Sequence, residues 1–115
     1  MPPDPILHIA PRAAWARAQA AGAYRGDTLD REGFIHCSTV EQVVATADRY
    51  FRGRTDLVLL VIDPSRVEPE IRYEPAPSGE RFPHIYGPLD LGAVTRSLPL
   101  EPGADGRFSL PPELA

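Results

Sequence analysis

Two short segments hold the residue types that could do chemistry. The first is Gly33-Phe34-Ile35-His36-Cys37-Ser38, which reads as a strand. Side chains alternate across a strand, so Phe34, His36 and Ser38 share one face while Ile35 and Cys37 share the other. An imidazole and a hydroxyl then leave the strand end together, where a helix is expected to begin. A helix N-terminus offers free N–H groups and partial positive charge, a seat for phosphate or carboxylate. The plainer reading is that Ser38 only caps the helix and His36 is a satisfied, partly buried histidine. Local spacing leaves both open.

The second segment is Phe82-Pro83-His84-Ile85-Tyr86-Gly87-Pro88. If it is extended, His84 and Tyr86 share a face, and the prolines and Gly87 fix the backbone around them. Either it presents two polar tips on an apolar background, or its aromatics pack on the core. The preceding loop carries Glu74, Glu80 and Arg81, any of which can bring a charge to the same place. An unperturbed imidazole titrates near neutrality, so His36 and His84 are candidates for acid and base. With Ser38 and Tyr86 they are expected to line one cleft.

Other chemistries fit less well. His36, His84 and Glu74 lack the close-spaced ligand pairs of a zinc site, so no metal is expected. Alternation turns Cys37 toward Ile35 and away from His36, which reads as a buried, inert thiol rather than a nucleophile. Neither a Gly-rich phosphate loop nor a nucleophile elbow is present.

The elements that must position these residues are legible from pattern. Ile6 to Ile9 reads as a strand, followed by a helix with Pro11 at its first position, Trp15 as core anchor and Gly22 as its stop. Residues 23 to 33 read as a polar, irregular loop. After Phe34 to Cys37, the Ser38-x-x-Glu41 spacing predicts a capping box. Val40, Val43, Val44 and Ala47 then recur at helical spacing up to Gly53. Leu57 to Ile62 is apolar on both alternating faces, as in a strand buried on both sides. Further strands are expected near Glu70 to Glu74, His84 to Tyr86 and Ala93 to Leu100. The order β-α-β-α-β-β-β segregates helices early and strands late, which predicts an α+β fold.

A chain of 115 residues fits a single domain, residues 1–115, with a core over about 5–100 and a Pro/Gly-rich tail or short hairpin after it. The net charge is −4 and all 12 basic residues are arginine. They are scattered, apart from Arg49, Arg52 and Arg54, and form no basic stripe, so duplex nucleic acid is not an expected partner. The single cysteine excludes an intramolecular disulfide and fits a reducing compartment. The start lacks the basic and apolar regions of a signal peptide, and Leu57 to Ile62 is too short to cross a bilayer. A cytoplasmic protein with no membrane association is expected. Oligomeric state is not legible in the chain.

Gly33-Phe34-Ile35-His36-Cys37-Ser38-Thr39, Gln42 and Phe82-Pro83-His84-Ile85-Tyr86-Gly87-Pro88-Leu89 resemble the signature blocks of the small bacterial domain of unknown function 952. The opening, with Ile6-Leu7-His8-Ile9, Trp15 and Gly22, is similar to that family's too. The resemblance covers roughly residues 5 to 100. The family in turn resembles the ADP-ribosyltransferase-like fold, which implies a small split β-sheet with two N-terminal helices and a cleft for a nucleotide, NAD in particular. On that resemblance His8 and Ser38 would bind ribose hydroxyls, and the helix starting at Thr39 would help hold phosphate. Tyr86 would meet a base or nicotinamide ring. His36 and His84 would orient substrate or act as acid and base, and Glu74 would stand beside the ribose in ADP-ribosyl or phosphate transfer. Relatives that remove phosphate from RNA use His and Arg instead of that glutamate. The other function the same residues allow is a non-catalytic module for a small molecule or peptide.

Overall fold

The structure, a computed structural model, describes residues 4–114. Its spine is β4 (Leu57–Ile62), with all six side chains buried, as a run apolar on both faces requires. It pairs antiparallel with β1 (Ile6–Pro11) on one side and β8 (Val94–Leu100) on the other. Alternation then divides the core in two. Val58, Leu60 and Ile62 pack with Ile6, Tyr24, Ile35 and Ile85, while Leu57, Leu59 and Val61 pack with Leu7, Val43, Ala47 and Phe108. Full burial of a leucine or isoleucine stabilises by roughly 1.5–3 kcal/mol, so a polar residue at Leu60 would unseat the first core.

The second three-stranded sheet, in the order β3-β6-β5, is formed by β3 (Ile35–His36), β6 (Arg81–Ile85) and β5 (Ile71–Pro75). A short pair, β2 (Ala23–Tyr24) with β7 (Leu89–Asp90), completes a set of small antiparallel sheets. Three helices precede β4. The α+β class follows directly. No helix among the described residues is long and apolar enough to cross a membrane.

Four local expectations change. Pro11 ends β1 and sits before α1 (Arg12–Ala21) rather than inside it. The helix itself is alanine-rich and closes as expected on Gly22, whose φ of 92° suits glycine. Residues 23 to 33 are not an irregular loop: they form β2 and one short helical turn, α2 (Thr28–Glu32). Five residues cannot hold a helix by propensity, and here buried Tyr24 and Leu29 hold the segment instead.

The expected capping box at Ser38 and Glu41 is not formed. Ser38 exchanges two backbone hydrogen bonds of 2.7 Å with Leu7, which keep it extended, and α3 (Val43–Tyr50) starts later. The returning half of a box does exist one residue on, where the Gln42 side-chain oxygen accepts the Thr39 N–H at 3.0 Å. Residues beyond 100 are no free tail. Phe108 is 5% exposed in the core beside α3, and its N–H donates to Asp48 Oδ1 at 2.8 Å.

Candidate functional site

The β3-β6-β5 sheet has an inner face of Ile35, Pro83 and Ile85, all buried, and an outer face that carries the polar groups. Its register aligns three residues in one row: His36 opposite His84, and His84 opposite Arg72. Strands lie about 4.8 Å apart, so the row runs roughly 10 Å across the sheet. Period-2 alternation puts Phe34, Tyr86, Glu70 and Glu74 on the same face, flanking the row.

The side chains meet. The Phe34 ring stacks on His84 with centroids 4.1 Å apart and planes 18° from parallel. His36 meets His84 edge to face at 5.2 Å, and Tyr86 lies 5.3 Å from Phe34. Glu74 Oε1 accepts His84 Nδ1–H at 2.8 Å and also the Tyr86 hydroxyl. Those two donors, Tyr86 first and His84 second, hold the Glu74 carboxyl below its usual range, and Glu74 in turn pushes the Tyr86 phenol up. His36 Nε2 lies 3.3 Å from Glu32. The face stays open: the side chains of His36 and Arg72 are 49% and 53% exposed, against 13% for His84. The expected cleft is therefore a shallow, half-open surface. A separate depression of about 480 Å³, lined by Gly22, Ala23, Glu68, Pro69, Pro88 and Asp90, does not include these groups.

Three residues expected beside a cofactor are placed elsewhere. His8 spends both ring nitrogens inside the protein: Nδ1–H donates to the His36 carbonyl, and Nε2 accepts from the Tyr24 hydroxyl at 2.8 Å. A carbonyl can only accept, so this fixes the Nδ1–H tautomer. Burial pushes the His8 pKa down to about 4, which keeps the ring neutral. Ser38 is buried with its hydroxyl 3.5 Å from Thr46 on α3. The chain changes sheets between Cys37, which bonds Pro83, and Ser38, which bonds Leu7, so strand alternation stops before Ser38 can join His36. Thr39 spends its N–H on Gln42. Cys37 is buried, and burial pushes its thiol up. Glu80 is exposed on the turn before β6, and Arg81 caps the Tyr73 carbonyl at 3.2 Å.

The family model for protein of unknown function (DUF952) matches residues 9–97. The chain belongs to this family. The DUF952 domain is also similar to protein CC0527 from Caulobacter crescentus. The crystal structure of that protein is 38% identical with a TM-score of 0.87, over 96% of this chain and 97% of that one. Its solution NMR structure is 40% identical with a TM-score of 0.81, over 92% of each chain. No curated protein matches the chain.

Within the DUF952 domain the outer face holds two residues to which sequence reasoning gave no role. Phe34, expected on this face, is the ring on which the others converge. Arg72 places its guanidinium carbon 4.6 Å from the Tyr86 ring centroid and bonds Glu70 at 3.0 Å. The signal was present: Glu70, Arg72 and Glu74 alternate along an expected strand and so share a face. What was missing was the pairing of that strand with the one carrying His84. Among the described residues no group of His, Cys, Asp or Glu is arranged to hold a metal.

The chemistry this face allows follows from the acceptors. An ionised Glu74 only accepts, so His84 carries a proton on Nδ1, and Nε2 is the nitrogen left to exchange one with a ligand. A carboxylate behind an imidazole is the arrangement that fixes the tautomer of a catalytic histidine and stabilises its charged form. His36, more exposed, is the second imidazole within reach. Together they can take a proton at one atom and return one at another.

Proposed function

We propose that the outer face of the β3-β6-β5 sheet is a nucleotide site in an ADP-ribosyltransferase-like split-sheet domain, with NAD as the candidate co-substrate. One of His84 and His36 takes the proton of an NAD ribose hydroxyl as its oxygen bonds the phosphorus of a phosphorylated ribonucleotide, and the other protonates the ribose oxygen released as the old P–O bond breaks. The observation that carries this is the His84 imidazole held by Glu74 at 2.8 Å with His36 at 5.2 Å. Tyr86 and Phe34 supply aromatic surface for a base. Ribosyl transfer needs a carboxylate free to sit beside developing positive charge. Glu74 is already engaged by Tyr86 and His84, so phosphate transfer fits this face better than glycosyl transfer does. His8, with both ring nitrogens engaged, supports the site from behind by bonding the His36 carbonyl.

A second reading, a non-catalytic module for a small molecule or peptide, is favoured by the openness of the face. Turnover separates the two. Thermal shift against NAD, ADP-ribose and nucleoside monophosphates comes first, because binding to the native state raises stability by mass action. Chromatography of NAD incubations with a phosphorylated ribonucleotide then looks for phosphate moved onto NAD with its nicotinamide retained; released nicotinamide would mean glycosyl transfer instead. His36→Ala and His84→Ala should each abolish product. Binding without turnover would leave the module, and the absence of any nucleotide shift would end the nucleotide reading.

A further inference from the structure

We propose that Arg72 is the phosphate-reading residue of this face and that Glu70 is an internal stand-in for the ligand's anion. The inference rests on the nucleotide reading and names what the ligand must carry: a terminal, dianionic phosphate. Arg72 shares the cross-strand row with His84 and His36, so an anion seated beside it lies on the same face as the imidazoles that would exchange protons with it. The guanidinium is spread over the Tyr86 ring, which limits its rotation and aims its edge along the face.

Glu70 holds that guanidinium through one nitrogen, Nη2, at 3.0 Å, a single-point contact rather than a bidentate one. Both side chains are more than half exposed, at 53% and 61%. Exposed pairs of this kind contribute little to stability, so the contact is easily exchanged. A phosphate offers a bidentate partner of higher charge, the geometry that a guanidinium fork matches best. Glu70 itself is placed by its backbone, whose carbonyl accepts the Tyr86 N–H at 2.8 Å, so the carboxylate can swing away without moving the strand. Its release opens the fork to the incoming phosphate.

The test measures AMP and adenosine affinities by calorimetry for the native chain, Arg72→Ala and Glu70→Gln. The native chain should bind AMP at least about tenfold more tightly than adenosine, the discrimination expected of one charge-assisted fork. Arg72→Ala should bring the two affinities together while leaving adenosine binding in place. Glu70→Gln should tighten AMP by about threefold, the gain from removing one weak exposed competitor, and leave adenosine unchanged. If adenosine binds and Arg72→Ala keeps the native preference for AMP, Arg72 does not read phosphate although the nucleotide site stands. If the native chain binds neither probe, both readings fall.

Discussion

His36 and His84 are register partners on neighbouring strands, and their rings meet edge to face with centroids 5.2 Å apart. Behind that pair stands Glu74, which serves His84 and Tyr86 through a single oxygen. Replacing Glu74 with alanine should therefore change two neighbours at once. The His84 ring loses the acceptor that fixes Nδ1–H and becomes a tautomer mixture, read from imidazole nitrogen shifts. The Tyr86 phenol, which Glu74 pushes up, should ionise at lower pH, read by ultraviolet titration against Tyr86→Phe. An unchanged His84 spectrum would show that Glu74 does not set the tautomer.

His8 links the two sheets as a neutral group, since its pKa falls from 6.5 to about 4 on burial. A lowered folded value means the unfolded chain binds the proton first. The contribution is complete above about pH 6.5 and is lost as pH falls toward 4. At most it amounts to roughly 3–4 kcal/mol, from about 1.4 kcal/mol per unit. Denaturant titrations between pH 7 and about 5, above the range where the carboxylates protonate, should show that slope in the native chain. His8→Gln keeps a donor and an acceptor without titrating and should flatten it. A slope that survives in the variant would place the acid sensitivity elsewhere.

Much of this arrangement was legible before any coordinates. The two blocks around His36 and His84 share a face because each is extended and each carries its polar tips at alternate positions. β4 declared itself by an unbroken apolar run, and Gly22 marked a true helix end. What failed were the inferences that needed tertiary partners. Ser38 looked like a cap until Leu7 claimed its backbone. His8 looked available because nothing in the sequence says that Tyr24 will meet its ring. Arg72 was overlooked because a guanidinium on a short strand has no meaning until that strand has a neighbour.

Gly87 tests the close packing that holds Tyr86 in place. A Cβ built there would lie 2.8 Å from both Pro69 Cβ and Cγ, and a proline ring cannot rotate aside. Gly87→Ala should destabilise by about 1–3 kcal/mol, the usual cost of forced overpacking, as measured by urea denaturation. It should also weaken ligand binding by shifting Tyr86 against Glu70. A variant as stable as the native chain would mean that the 68–70 segment yields freely.

The chain after β8 gives the last test, because composition and position describe it differently. Its prolines and glycines suggest a dispensable tail, yet Phe108 lies in the core with Leu7, Val43 and Leu98, tied by its N–H to Asp48. Truncating a buried phenylalanine to alanine costs about 3–5 kcal/mol, a large share of the roughly 5–15 kcal/mol that domains possess. Phe108→Ala should therefore lower the denaturation midpoint steeply. Asp48→Asn, which keeps an acceptor for the Phe108 N–H, should cost far less. The outer face with His36 and His84 lies on the other sheet, so ligand affinity measured well below the melting point should be unchanged in both variants. A Phe108→Ala protein that melts with the native chain would show the segment to be an appendage after all.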